Sequence, residues 1–236
     1  MPNDLSSPEH IHQALWRASQ LCRSQGRCVD TGFPLLSAEL PGGGWPLGNL
    51  VEFLVHQPGT GELQLLRPAL NHVSQRSVML VQPPYLPQIA AWSNWGCSPS
   101  SLLWVHTRRQ ADALWAADQV LRSGTFGALL LWQNQIRNQT LRRLQLAAQA
   151  GDTLFIVVRP STAADQSSPS PLRLVLQPNR QGLNLSIVKR RGPSHAGPLA
   201  LKLYPDTRFF EFDHAIMDRR ASIARKPGHA LPELAH

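Results

Sequence analysis

The chain has 236 residues, of which 42% are hydrophobic and 16% charged, and it carries a formal net charge of +8. This composition excludes an intrinsically disordered chain, and the length suits one main folded domain with additional tails. No apolar run reaches the ~18 residues of a bilayer span, and no charged-then-apolar signal opens the chain. We therefore expect a cytoplasmic protein without a membrane partner.

Cysteine and histidine patterns argue against a metal site. Cys22, Cys28 and Cys97 have no CxxC spacing and an odd count, which predicts free thiols in a reducing compartment. The nine histidines form no ligand pattern. No nucleophile elbow or pair of carboxylates is visible either, so enzyme classes other than an ATPase have no positive support.

Positive charge is concentrated in the second half of the chain. Residues 1–118 carry 7 Arg and 8 acidic residues, whereas residues 119–236 carry 16 Lys or Arg and 7 acidic residues. A basic surface of this kind attracts phosphate backbones or acidic proteins without specifying which.

In chain order, the first predicted element is a helix over residues 7–25. Ser7 suits the N-cap, Pro8 the first helical position and Glu9 the first turn. Apolar residues then recur at helical spacing. We assign residues 1–29 to an N-terminal helical segment.

Strand-length apolar runs alternate with helical patterns through the middle of the chain. The runs lie at residues 51–55, 78–81, 102–105, 128–132 and 154–158. This alternation predicts an α/β fold whose mostly parallel sheet has helices on both faces. Two later runs, 172–177 and 183–189, flank a Pro-Asn-Arg-Gln-Gly turn and predict an antiparallel hairpin at one edge.

Two segments lack these patterns. Residues 161–171 are rich in Ser, Pro and Ala, which predicts a flexible loop. Proline, glycine and charged residues dominate the end of the chain. The predicted organisation is therefore a core over residues 30–203 followed by a basic, partly flexible tail over residues 204–236.

The run at 51–55 leads into eight residues, His56 to Leu63, placed where a phosphate-binding P-loop follows its strand. That motif, G-x-x-x-x-G-K-[ST], uses its lysine on phosphate oxygens and its hydroxyl on Mg²⁺. Here His56 stands at the first glycine, Glu62 at the lysine and Leu63 at the hydroxyl, and only Gly61 matches. The predicted site is a degenerate phosphate loop, comprising His56, Gly59, Thr60, Gly61, Glu62 and Leu63.

The wider sequence resembles the core of the RecA family. Residues 31–52, TGFPLLSAELPGGGWPLGNLVE, are similar to the family's glycine-rich turn and the strand that enters its P-loop. Residues 107–132, TRRQADALWAADQVLRSGTFGALLLW, are similar to its helix and Walker B strand. The degenerate loop, the VQPPYLP segment and an Arg-rich tail also resemble ImuA, a family of RecA-like accessory proteins of SOS-induced translesion synthesis related to SulA.

The resemblance implies that hydrolysis has been lost. Gln82 stands where the family has its catalytic glutamate, and Trp132 stands where it has the Walker B aspartate. Together with Glu62 and Leu63, these changes remove four parts of the ATPase machinery. We expect no enzyme activity and no cofactor, although nucleotide bound without hydrolysis stays open. The two loops that line a recombinase filament are short and lack aromatic residues, so strand exchange is not expected.

Basic residues are the remaining candidate contacts. Arg142 and Arg143 lie on a predicted helix, and Lys189, Arg190 and Arg191 end the last hairpin strand. They are candidates for binding DNA or an acidic partner, although a solvated face is the alternative.

An aromatic cluster with nearby cations in the tail suits docking on another protein, while closing the domain's own core is the alternative. These candidates are Phe209, Phe210, Phe212, Arg219 and Arg220.

The sequence thus favours a non-catalytic accessory protein of SOS-induced translesion synthesis. Its expected partners are a polymerase-like subunit, an error-prone replicative-type polymerase and RecA, and DNA contact and self-association are conceivable. A SulA-like inhibitor that binds the division tubulin is the first alternative, and a DNA-dependent ATPase is the second.

Overall fold

The structure is a computed structural model that describes residues 27–192 and 197–203. The helix predicted over residues 7–25 lies outside the described residues. The same holds for Cys22 and for the tail candidates Phe209, Phe210, Phe212, Arg219 and Arg220.

An eight-stranded sheet forms the centre of the described chain. Its strands are β3 (Leu50–Val55), β4 (Val78–Val81), β5 (Leu102–Val105), β6 (Ala128–Trp132), β7 (Leu154–Pro160), β8 (Leu172–Asn179), β9 (Gly182–Lys189) and β10 (Leu199–Lys202). Their order is β10-β9-β8-β3-β7-β6-β4-β5. The six strands from β8 to β5 are parallel, and β9 and β10 add antiparallel strands at one edge.

Helices cover both faces of the sheet. They are α1 (Pro34–Glu39), α2 (Glu62–Val73), α3 (Ile89–Asn94), α4 (Gln110–Ser123) and α5 (Asn138–Ala148). Apolar residues of α1, α2 and α3 pack on one face, and those of α4 and α5 pack on the other. A separate two-stranded ladder pairs β1 (Cys28–Val29) with β2 (Trp45–Pro46).

The strand β3 lies between β8 and β7 in the middle of the sheet, and every one of its residues is buried. Val51, Phe53 and Val55 face the α2 side, whereas Leu50 faces the α5 side. This alternation follows from the two-residue period of a strand. Because β3 is covered on both faces, the loop that leaves its carboxyl end is held in a fixed place above the sheet.

The predicted architecture is confirmed at the level of a mostly parallel α/β sheet with an antiparallel hairpin. The strands at 78–81, 102–105 and 128–132 have the predicted bounds, and the strand β7 is two residues longer than predicted. The strand β10 was not predicted. In the part of the chain that the structure describes, no helix is both long and apolar enough to cross a bilayer.

Asp152 forms ion pairs with two arginines, and all three residues lie just before the amino ends of strands. The Asp152 carboxylate, just before β7, accepts hydrogen bonds from Arg76 Nη1 at 2.8 Å and from Arg27 Nη1 at 3.2 Å. The pKa of Asp152 is lowered, chiefly by the hydrogen bond from Arg76, and partial burial acts in the opposite direction. The ionised Asp152 carboxylate therefore stabilises the fold in full at pH values above the pKa that Asp152 has in the unfolded chain, and this stabilisation is lost as pH falls through its lowered folded-state pKa.

We expect Asp152→Asn to lower the free energy of unfolding by about 0.5–1 kcal/mol at neutral pH, because the pair is partly exposed and screened. The difference from the parent protein should shrink as pH falls through the lowered pKa of Asp152, where the parent loses the same charge. Urea unfolding at several pH values measures this. A difference that stays constant down to strongly acidic pH would contradict the assignment.

Candidate functional site: a phosphate-type loop filled by its own carboxylate

The loop between β3 and α2 depends on two glycines. Gly59 has a φ of 84° and Gly61 a φ of 116°, values that residues with a side chain rarely adopt. A Cβ atom on Gly59 would lie 3.1 Å from Tyr85 Cε2, and one on Gly61 would lie 2.9 Å from Leu203 Cδ1. The backbone conformation therefore favours glycine at these positions, and the ends of the Tyr85 and Leu203 side chains would have to move to admit a Cβ atom.

The Glu62 carboxylate lies within this loop and accepts its backbone N–H groups. Glu62 Oε1 accepts from the N–H of Gly59 at 2.8 Å, and Oε2 accepts from the N–H of Gly61 at 3.1 Å. Glu62 is the first residue of α2 and is 2% exposed. Backbone N–H groups at a helix N-terminus are the donors that hold phosphate in a P-loop. Here the chain supplies its own anion to them.

Trp132 adds a third donor to this carboxylate. Its indole Nε1 donates to Glu62 Oε1 at 3.4 Å. Trp132 ends β6, next to β7 in the sheet, where the RecA resemblance places the Walker B aspartate. An active P-loop protein would have a lysine and an aspartate at these two positions. Here they are Glu62 and Trp132, whose side chains are hydrogen-bonded to each other.

The side chains at the remaining loop positions do not have the contacts that bind phosphate or Mg²⁺ in a P-loop. Leu63, at the position of the Mg²⁺-binding hydroxyl, is partly buried and packs against the hydrophobic core. His56 is exposed, and Thr60 Oγ1 donates to the carbonyl of Gln57 at 2.5 Å. Within residues 27–192 and 197–203, no three His, Cys, Asp or Glu side chains are grouped to hold a metal ion.

Gln82, at the predicted position of the catalytic glutamate, is engaged between two strand ends. It has a φ of 56°, and its Nε2 donates to the carbonyl of Thr107 at 2.8 Å. Its Oε1 accepts from the N–H of Thr107 at 3.1 Å. The side chain therefore joins the carboxyl ends of β4 and β5.

A groove opens beside the loop and has a cavity volume of about 360 Å³. The loop forms one wall, the segment 83–88 forms another, and Trp95 and Trp132 contribute indoles. Tyr85 is 69% exposed and Leu86 is 80% exposed. Large apolar side chains this exposed beside a cavity are typical of a binding surface.

A buried ion cluster, which the sequence analysis missed, lies on the α5 face of the sheet. Glu52 of β3 accepts from Arg173 Nε at 2.6 Å, from Arg159 Nη1 at 3.3 Å and from Ser168 Oγ at 2.8 Å. Glu52, Arg159 and Arg173 are all less than 5% exposed. The available signal was a charged residue inside two of the predicted strand runs, Glu52 and Arg173, and another, Arg159, directly after a third.

This cluster corrects the prediction that residues 161–171 form a flexible loop. Arg173 also donates to the carbonyls of Ala163 and Ala164, at 2.7 and 2.9 Å. Arg159 Nη2 donates to Gln166 Oε1 at 2.7 Å. The segment is held against the sheet because its carbonyls and polar side chains accept hydrogen bonds from the buried guanidinium groups.

The structure engages some predicted cations and leaves others exposed. Lys189 Nζ donates to the carbonyl of Ser168 at 2.8 Å, and Arg190 Nη1 pairs with Glu39 Oε2 at 2.8 Å. Arg143 lies 3.5 Å from a carboxylate oxygen of Asp118 on α4. Among the described candidates, the exposed cations without an ion pair are Lys189, Arg142 on α5 and Arg191 after β9, and of these Lys189 is bound to a backbone carbonyl.

Comparison with known proteins adds no family assignment. The sequence matches no protein-family model, and a search of curated proteins gives no significant match.

Proposed function

We propose that this chain is a non-catalytic, RecA-like accessory protein of SOS-induced translesion DNA synthesis, which bridges or regulates error-prone polymerase components in the cytoplasm. The observation that carries the non-catalytic part is the Glu62 carboxylate bound to the N–H groups of Gly59 and Gly61. A triphosphate at this loop would have to displace a bonded anion of the same charge sign.

Two features support the RecA-like part of the proposal. The central strand β3 leads through a glycine-containing loop into α2, which is the strand, loop and helix order of P-loop proteins. The sheet is parallel around β3 and antiparallel at the β9 and β10 edge, as the resemblance implies.

Action through protein contacts is supported by the exposed groove next to the loop. Tyr85 and Leu86 present apolar surface to solvent there. The net charge of +8 gives the chain a general attraction to acidic proteins and nucleic acid. Both features suit a protein that assembles other components.

The proposal is tested by recovering the tagged protein from cells before and after DNA damage and identifying what co-purifies. A version ending at Leu203 keeps β10 in the sheet and removes only residues 204–236. Polymerase subunits or RecA that appear after damage would support the proposal. Recovery of the division tubulin instead would favour the SulA-like alternative, and ATP hydrolysis by the purified chain would favour the ATPase.

We expect Arg142→Glu to weaken any binding of the chain to single-stranded DNA and to lower the slope of log affinity against log salt by about 1. Arg142 is exposed and makes no ion pair with the described residues, so the fold should tolerate the change. Arg108→Glu, at another exposed cation before α4, is the matched control. Equal losses in the two variants would show that only total charge matters.

A further inference from the structure

The groove beside the loop has a charge opposite to that of the chain as a whole. Its lining includes one carboxylate, Glu62, and among the described residues it includes no lysine, arginine or histidine. The chain itself carries a net charge of +8. A groove lined by a carboxylate and by no described cation is electrostatically complementary to a basic group on a partner.

Glu62 has acceptor capacity left for such a partner. A carboxylate offers about four acceptor sites, and the Glu62 oxygens accept from two backbone N–H groups and the Trp132 indole. No described ion pair includes Glu62. The carboxylate is therefore buried, borders a cavity and forms no ion pair with a basic side chain in the described part of the chain.

Aromatic rings supply the second component of a cation site. Tyr85, Trp95 and Trp132 line the groove, and ring faces attract guanidinium and ammonium groups. The Arg67 guanidinium already lies 6.0 Å from the centroid of the Trp95 ring. This contact is an example within the chain of the same attraction.

We infer that the groove binds a basic side chain, an arginine flanked by apolar residues, on an extended segment of a partner protein. The arginine lies near the Glu62 carboxylate and the aromatic rings, and its apolar neighbours cover Tyr85 and Leu86. A volume of about 360 Å³ accommodates a side chain of this size. The inference rests on the proposed non-catalytic function, because it requires a loop free of nucleotide.

The test is a titration of the full chain with acetyl-Leu-Arg-Leu-amide and with the same peptide carrying glutamine or glutamate in the centre. The Trp132 indole N–H signal in ¹⁵N–¹H spectra reports binding next to Glu62. We expect saturable shifts with the arginine peptide. The glutamine peptide should bind roughly five- to thirtyfold more weakly, and the glutamate peptide should not bind.

Two variants separate the charge from the apolar surface. In Glu62→Gln, the preference for arginine over glutamine should disappear while the shape of the groove is retained. Leu86→Lys adds a cation at a position that is 80% exposed, so it should weaken binding of the arginine peptide without disturbing the fold. Leu86→Ala is its control, and it should weaken the arginine and glutamine peptides equally.

The outcomes separate this inference from the proposed function. Equal binding of the arginine and glutamine peptides, an arginine preference that survives Glu62→Gln, or no binding of any peptide overturns the inference alone. A shift of the Trp132 signal by ATP would place nucleotide in the loop and overturns the inference alone, whereas ATP hydrolysis by the parent protein overturns the non-catalytic function as well.

Discussion

Glu52→Gln should lower the free energy of unfolding by about 3–5 kcal/mol, because it leaves two buried guanidinium groups without their counter-charge. Arg159 and Arg173 both donate to the Glu52 carboxylate, and both are too buried for water to take the place of that acceptor. Residues 161–171 should also become accessible to protease, since Ser168 loses its carboxylate partner. Urea unfolding and limited proteolysis measure the two effects.

Asp165→Asn is the matched control for this change. It is also an acid-to-amide substitution, and Asp165 is an exposed residue of the same segment. We expect it to change the free energy of unfolding by less than about 0.5 kcal/mol. If the two variants were equally stable, the buried cluster would not be what fixes the segment.

Glu62→Ala should lower the free energy of unfolding by about 2–4 kcal/mol, since the N–H groups of Gly59 and Gly61 lose a charged acceptor. In this variant the same N–H groups, at the N-terminus of α2, become free to bind an added anion. We expect inorganic pyrophosphate to raise the melting temperature of Glu62→Ala and to leave that of the parent protein unchanged.

Gln64→Ala, in the same turn of α2, controls for a general loss of side-chain contacts. It should change stability little and should gain no response to pyrophosphate, because the Glu62 carboxylate still occupies the loop. Stabilisation of the parent protein by pyrophosphate would contradict the self-filled loop. A Glu62→Ala variant as stable as the parent would also contradict it.

The sheet could be predicted from the sequence because its strands are short apolar runs bounded by glycine, proline and polar residues. The runs at 78–81, 102–105 and 128–132 carry this signal in full. The strand β10 does not, because its residues are alternately buried and exposed and its pairing with β9 supplies its stability. A strand of this kind is defined by its partner more than by its own residues.

The loop could be located from the sequence, but its filled state could not. The replacement of the P-loop lysine by Glu62 was visible in the sequence. That the carboxylate accepts from Gly59 and Gly61 depends on their left-handed backbone, which the motif does not specify. The order of residues 161–171 was missed for a similar reason, because Arg173 lies 121 residues from Glu52 in the chain.

The self-filled loop also makes nucleotide binding difficult to acquire by single substitutions. A lysine at Glu62 would remove the acceptor of three N–H groups and place a cation at the positive end of α2. An aspartate at Trp132 would face the Glu62 carboxylate, and a hydroxyl at Leu63 would replace a side chain that packs against the core. We expect each change alone to lower stability before any Mg²⁺ site is complete, so a phosphate-binding loop would require several of these changes together.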